Sequence, residues 1–175
     1  MRLSKDSPLA TLKIPHLSMV LEEAFAVLRW PSAARLEDLQ QWTVGKLADH
    51  ARLPVDGVVD RLEKIRTMAL DIEISPEELQ SLRQQSPEKL FLLDVREPWE
   101  FNKCSIQGSQ LMAQTDLARI FGGLKELTVI AICHHGVRST SAAFYLMEAG
   151  LPRVRSLCGG IEAWAQLVDT SMPRY

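Results

Sequence analysis

The sequence predicts two parts: a small, mostly helical domain over residues 1–74 and an α/β domain over residues 75–175. In the first part, apolar residues recur at helical spacing. In the second part, apolar strand-like runs alternate with helix-like segments. These strands look buried on both sides, which favours a parallel sheet with helices on both faces.

The first domain is predicted to consist of helices with one short strand. Residues 18–29 carry an apolar stripe one helical turn apart, and residues 32–40 form the next predicted helix. Residues 43–66 divide around Leu53 and Pro54 into two amphipathic helices joined by a tight turn. Residues 69–74 alternate apolar and acidic side chains, which predicts a strand with one face in solvent.

The boundary between the two domains is predicted near Ile74 because a new helix starts directly after it. Ser75 can cap that helix, Pro76 suits its first turn, and Glu78 completes a capping box. A long loop through Gly108 is expected after the first strand. The predicted helices are residues 76–85, 115–121, 138–150 and 161–167, and the predicted strands are residues 89–95, 127–133 and 154–158.

The charge balance excludes a chain that binds polyanions through bulk charge. Twenty Lys and Arg against 22 Asp and Glu give a formal net charge of -2. No apolar run reaches the length of a membrane span, and the opening MRLSKDSPLATLK lacks the apolar core of a signal peptide. We therefore expect a cytoplasmic protein without membrane association, whose three cysteines are reduced.

Cys133 is the predicted catalytic residue. An apolar strand runs into it, HHGVR follows, and a helix starts near Ser139, so several amides can converge on one anion. The helix N-terminus and Arg138 both favour a thiolate, whereas the alternative is an inert core cysteine. The loop predicted to bind substrate comprises His134, His135, Gly136, Val137, Arg138 and Ser139.

Four motifs in order resemble the single-domain rhodanese family of sulfurtransferases. They are LLDVREPWEF (92–101), IQG (106–108), CHHGVRS (133–139) and LCGGIEAW (157–164). The resemblance implies that Cys133 takes a sulfane sulfur from a donor such as thiosulfate. It also implies that Cys133 holds this sulfur as a persulfide and passes it to cyanide or a protein thiol, without a metal or cofactor. The six-residue loop from Cys133 to Arg138 implies sulfur substrates, since related phosphatases use a loop one residue longer.

The same resemblance implies supporting roles for residues near the loop. Asp94 and Arg96 are expected to serve the scaffold, and we expect Glu97 and Glu100 to be solvated or to cap a short helix. His134 and its neighbour lack zinc-site spacing and are interpreted as pocket rim, acting either as hydrogen-bond donors or as protonated charges.

The other two cysteines leave two interpretations open. Where the family usually has G-H-I-P-G-A, this chain has Cys104 and then SIQGS, so we expect the loop to differ in shape here. Cys104 and Cys158 are either small residues that fill gaps or thiols that resolve Cys133. Cys158, beside Gly159, is the better candidate for a second thiol.

Residues 43–66 resemble the helix-turn-helix of winged-helix regulators of the arsenic-repressor type, some of which are fused to rhodanese domains. The predicted recognition helix from about Val55 would present Asp56 and Asp60 to phosphates, which disfavours DNA binding. We expect an accessory domain that mediates homodimerisation or docks a protein thiol acceptor. The alternatives are a sulfur-responsive regulator that binds DNA or a protein partner, and a silent rhodanese fold used only for binding.

Overall fold

A computed structural model describes residues 2–24 and 41–175 of the chain. It divides into two compact units, Met1–Leu70 and Asp71–Tyr175. The division therefore follows Leu70 and not Ile74, because the strand Glu73–Ile74 is part of the sheet of the second unit. Within the described ranges, no helix has both the length and the apolar content needed to cross a bilayer.

The first unit is helical in the part that the structure describes. It contains α1 (Leu17–Ala24), α2 (Val44–Ala51) and α3 (Val55–Ala69). The Thr43 side chain accepts a hydrogen bond from the Lys46 amide and so caps α2. The apolar stripes of these segments form one core, made of Leu9, Leu12, Val20, Leu21, Val44, Leu47, Val58, Leu62 and Ile65.

The predicted helices of this unit have different outcomes. α2 and α3 form the predicted pair, and α1 occupies the described part of the predicted helix 18–29. Residues 25–29 and the predicted helix 32–40 lie outside the described residues. The strand predicted for residues 69–74 is confirmed only at Glu73–Ile74 and is wrong over residues 69–72, because α3 continues through Ala69. The winged-helix resemblance stays a prediction.

The second unit is built on a five-stranded sheet. Its strands are β1 (Glu73–Ile74), β2 (Leu90–Asp94), β3 (Gln110–Leu111), β4 (Thr128–Ile132) and β5 (Val154–Leu157). They lie in the order β1-β5-β4-β2-β3, and every neighbouring pair is parallel. This confirms the predicted α/β class. β3 lies where the sequence analysis expected a loop, because two residues are too few to show an alternating pattern.

Helices connect the strands and flank the sheet. They are α4 (Pro76–Gln85), α5 (Pro98–Lys103), α6 (Leu117–Leu124), α7 (Val137–Glu148) and α8 (Gly160–Leu167). α7 packs on β4 and β5, and α4 packs on α8. The core of the unit consists of Ile74, Leu79, Leu92, Ile106, Ile130, Ile132, Leu157, Ile161 and Trp164.

The start of α4 forms one of the two hydrogen bonds of the predicted capping box. The Ser75 hydroxyl accepts a hydrogen bond from the Glu78 amide at 3.1 Å. The Glu78 carboxylate bonds the Arg155 guanidinium at 2.5 Å, which ties α4 to β5. The helix start is therefore fixed both by its own cap and by the neighbouring strand.

The start of α8 is in backbone contact with the segment that follows β4. The amide of Ile161 donates to the Cys133 carbonyl at 2.8 Å, and the amide of Glu162 donates to the His134 carbonyl at 3.1 Å. These amides are among the first of α8, which have no partner within the helix. Gly160 allows this approach, because it has a φ of 62° and a Cβ there would lie 2.3 Å from the His134 carbonyl oxygen.

We expect Gly160→Ala to lower the free energy of unfolding by more than about 3 kcal/mol, since it adds both a backbone clash and a left-handed strain. Gly122→Ala is the matched control, because a Cβ at Gly122 meets nothing within 4 Å. That variant should gain up to about 1 kcal/mol from the better helix former. Urea unfolding followed by circular dichroism measures both, and equal midpoints would contradict the role of the close approach.

Candidate active site: a cysteine loop between a strand and a helix

The Cys133 sulfur lies at the carboxyl end of β4 and faces the start of α7. The residue is 1% exposed. The Gly136 amide donates to Sγ at 3.1 Å, and the Ser139 hydroxyl lies 3.3 Å from Sγ. Gly136 has a φ of 93°, a left-handed conformation that glycine adopts without strain. The loop therefore directs one backbone dipole and one hydroxyl at the sulfur.

Three buried hydroxyls lie beside this sulfur. Ser139 Oγ lies 2.8 Å from Ser156 Oγ, and both Ser139 and Thr140 donate to the Gly136 carbonyl, at 3.0 and 2.9 Å. A hydroxyl carries one proton and can accept as well as donate. Ser139 can therefore accept from a Cys133 thiol and donate to a thiolate, while Thr140 still holds the Gly136 carbonyl.

Arg138 is paired with a buried carboxylate. Its Nη1 and Nη2 donate to the two oxygens of Glu100 at 2.7 and 2.8 Å. Glu100 Oε2 also accepts a hydrogen bond from the Glu97 amide at 3.0 Å. Glu100 therefore caps the start of α5, which is one of the two roles expected for it. Hydrogen bonds from Arg138 lower the pKa of Glu100 to about 2. Burial opposes this shift, and the hydrogen bonds from the Glu97 amide and Tyr175 add to it. The charge of Arg138 is thus offset at close range.

Asp94 and Arg96 form a buried ion pair at the end of β2. Arg96 Nε donates to Asp94 Oδ1 at 2.9 Å, and Nη2 donates to Oδ2 at 2.7 Å and to the Cys104 carbonyl at 2.8 Å. Burial disfavours the charged guanidinium, but the Asp94 hydrogen bonds outweigh it and raise the pKa of Arg96. The pair joins β2 to the segment after α5, which is a scaffold arrangement.

The two histidines of the loop lie side by side at its rim. The His134 and His135 rings are stacked with centroids 4.0 Å apart, and the Tyr175 ring lies 4.4 Å from His134. Burial, followed by the charge of His135, lowers the pKa of His134. The lowered pKa favours the neutral ring of His134, which suits a hydrogen-bonding role better than a charged one. His135 and Val137 are exposed.

The other two cysteines lie in different surroundings. Cys104 is half-buried and packs against the core of the second unit. Cys158 is exposed, but partial desolvation of its sulfur and the nearby Glu73 carboxylate raise the pKa of its thiol. This lowers the thiolate fraction that an attack on Cys133 would need. The resolving role of Cys158 stays a prediction.

Three residues near the loop were missed by the sequence analysis. Thr140 lies one residue beyond the predicted loop, and Ser156 lies two residues after Val154 in the predicted strand 154–158, on the same side as Val154. That position was the available signal, since a hydroxyl on the buried side of a strand needs a partner. Tyr175 lies 42 residues from Cys133 along the chain, and no pattern in the sequence places it at the loop.

The second unit of this chain is similar to known proteins. The model of the family described as "Rhodanese-like domain" matches residues 75–167. The thiosulfate sulfurtransferase GlpE of Pseudomonas fluorescens (strain Pf0-1) is 37% identical over 92 residues, covering 52% of this chain and 82% of that protein. GlpE of Pseudoalteromonas translucida is 34% identical over 97 residues, covering 54% of this chain and 91% of that protein.

Solved structures are similar to about half of the chain. A rhodanese-related protein from Thermoplasma volcanium is 29% identical and covers 54% of this chain and 91% of its own, with a TM-score of 0.45. A rhodanese-like domain protein from Staphylococcus aureus is 25% identical and covers 53% of this chain and 90% of its own, with a TM-score of 0.43.

Glu100→Gln should make the free energy of unfolding less dependent on pH in the acidic range. A carboxyl whose pKa falls from 4.5 to about 2 on folding adds stability that is complete above the unfolded value and is lost as pH falls through the folded one. The free energy of unfolding of the native chain should exceed that of the variant by about 3 kcal/mol at neutral pH, and the gap should shrink towards pH ~2.

Urea titrations from neutral pH to about pH 3 measure this difference. Glu88→Gln, in an exposed turn, is the control and should follow the native chain throughout. A gap between the native chain and Glu100→Gln that stays constant over this range would show that the Arg138 pair contributes nothing.

Proposed function

The chain belongs to the rhodanese-like domain family and is a rhodanese-type sulfurtransferase, and on this basis we propose that Cys133 carries the transferred sulfur. Cys133 takes a sulfane sulfur from a small donor such as thiosulfate and passes it to a thiol or to cyanide. The observations that support this are the Gly136 amide, which donates to its sulfur, and the Ser139 hydroxyl, which lies 3.3 Å from the sulfur and can donate to a thiolate. Such donors stabilise an anionic sulfur without protonating it.

The reaction has two displacements at sulfur. In the first, the Cys133 thiolate attacks the outer sulfur of thiosulfate, the S–S bond of the donor breaks, and sulfite leaves with the bonding electrons. In the second, a thiolate or cyanide attacks the outer sulfur of the Cys133 persulfide. The persulfide S–S bond breaks and Cys133 regains its electron pair. The products are a new persulfide or thiocyanate, so the cycle is of the ping-pong type.

Dipoles at the sulfur serve both steps. The Cys133 anion is the nucleophile in the first step and the leaving group in the second, and the Gly136 amide and Ser139 hydroxyl stabilise it in each. Arg138 is offset by Glu100, and the lowered pKa of His134 favours its neutral form. The rim is therefore suited to orient an anionic donor through hydrogen bonds.

For the first unit we propose an accessory role, either homodimerisation or docking of a protein thiol that accepts the sulfur. The exposed start of α3 is acidic, since Asp56 and Asp60 lie one turn apart. Asp60 is paired with Arg2 at 3.0 Å, so the basic group nearest to it is already engaged. This distribution of charge supports a partner other than DNA.

Replacement of Cys133 tests the proposal directly. Cys133→Ser should lose all thiosulfate-dependent formation of thiocyanate, because a hydroxyl at this position cannot form a persulfide. Intact-mass measurement after exposure to thiosulfate should find one added sulfur atom on the native chain and none on the variant. Cys104→Ser and Cys158→Ser are the controls and should still take up sulfur. Sulfur uptake by Cys133→Ser would refute the assignment.

Removal of the Ser139 hydroxyl tests how the anion is stabilised. Ser139→Ala should lower kcat/KM roughly ten-fold, because the sulfur loses one of its two donors. Ser141 on the same helix provides the control, since its buried hydroxyl has no hydrogen-bond partner in the described part of the chain. Ser141→Ala should keep full activity. Steady-state rates compare the two, and equal rates would show that the Ser139 hydroxyl is dispensable.

A further inference from the structure

The segment that follows α8 returns to the rim of the Cys133 loop. Met172 packs against the core of the second unit. Arg174 bonds the Glu162 carboxylate on α8. Tyr175, two residues after Pro173, then reaches side chains of α5 and of the Cys133 loop. The segment is thus attached at three successive points, and the last of them lies at the candidate site.

The Tyr175 hydroxyl links the two ion pairs described above. It accepts from Arg96 Nη1 at 2.7 Å and donates to Glu100 Oε1 at 3.1 Å. Arg96 directs its other N–H groups at Asp94 and at the Cys104 and Glu100 carbonyls. A guanidinium has five N–H donors, and the Tyr175 oxygen is the best-placed partner of Nη1. Loss of this hydroxyl would leave a buried donor with one long contact of 3.5 Å.

The Tyr175 ring contacts the loop itself. Its centroid lies 4.4 Å from the His134 ring, next to Cys133 in sequence. The Lys103 ammonium lies 4.8 Å from the Tyr175 centroid, and the Trp99 ring packs edge-on at 5.9 Å. Two rim residues of α5 therefore hold the ring against His134.

Tyr175 thus meets both ends of the loop that the proposed reaction uses. Its ring touches His134 at the start of the loop, and its hydroxyl reaches Arg138 at the end through Glu100. Neither contact involves the Cys133 sulfur, whose donors are Gly136 and Ser139. A residue in this place can set how the rim binds a donor without taking part in the transfer of sulfur.

We propose that Tyr175 is a positioning residue that holds Arg138, through Glu100, and His134 in the geometry that binds an anionic sulfur donor. The proposal rests on the sulfurtransferase function proposed above. It assigns the effect of Tyr175 to donor binding and not to the chemical steps, because its contacts are with the rim alone.

His134 offers a readout that is independent of turnover. The charged and titratable groups that act on it are His135 beside it, Glu100 and Arg96 from the β2–α5 region, and Glu162 from α8. Tyr175 adds cover over the ring. Because burial is the main cause that lowers the pKa of His134, removal of the Tyr175 ring should let that pKa rise towards its ordinary value of 6.5.

Tyr175→Phe and Tyr175→Ala separate the hydroxyl from the ring. Tyr175→Phe should raise KM for thiosulfate about five-fold and leave kcat within about two-fold, as expected for loss of one hydrogen bond that acts on binding. Tyr175→Ala should raise KM further and should shift the NMR titration midpoint of His134 upwards. Tyr145→Phe is the matched control, because Tyr145 on α7 is 70% exposed, and it should change neither quantity.

The outcomes distinguish this proposal from the proposed function. Native KM values in both Tyr175 variants, or a fall in kcat with KM unchanged, would overturn the positioning role. If the native chain takes no sulfur from thiosulfate, the proposed function fails, and the His134 titration still reports on Tyr175. An unchanged His134 midpoint in a Tyr175→Ala variant with native circular dichroism would also overturn the proposal.

Discussion

Two carbonyl groups directly after β4 are held by the first amides of α8, and the active loop depends on this contact. With the Cys133 and His134 carbonyls bonded to Ile161 and Glu162, the chain must turn back at once to begin α7. Gly136 makes that turn in a left-handed conformation, and its amide then meets the Cys133 sulfur. The position of the sulfur's donor is therefore set by backbone packing during folding. In the proposed reaction, this donor is in place before the substrate binds.

The charges around the loop are arranged in pairs. Asp94 offsets Arg96, and Glu100 offsets Arg138. The Asp94–Arg96 pair is fully buried, whereas the Arg138 side chain is 45% exposed. A buried pair adds little net stability, because desolvation opposes the attraction, but removal of one partner leaves an unmatched charge. The groups in direct contact with the Cys133 sulfur are fixed dipoles, the Gly136 amide and the Ser139 hydroxyl.

Local signals in the sequence predicted much of the α/β unit, and distant contacts account for what they missed. The Ser75 cap and the apolar runs of β2 and β4 depend on neighbouring residues, so their pattern is visible in the chain. β3 exists only because β2 offers it a free edge. The partner of Arg138 lies on α5, 38 residues away, and Tyr175 reaches Glu100 across 75 residues. Rules based on residue spacing carry no information about contacts between residues so far apart in the chain.

The near-complete burial of Cys133 determines which form of the protein another macromolecule can touch. The bare thiol lies beneath the surface, where a large partner has no reach. In the proposed reaction, a Cys133 persulfide lengthens this side chain by one S–S bond, about 2 Å. A protein that accepts the sulfur therefore has to reach only the outer sulfur and not the buried one. Burial also shields the resting thiol from mixed disulfides with bulky partners.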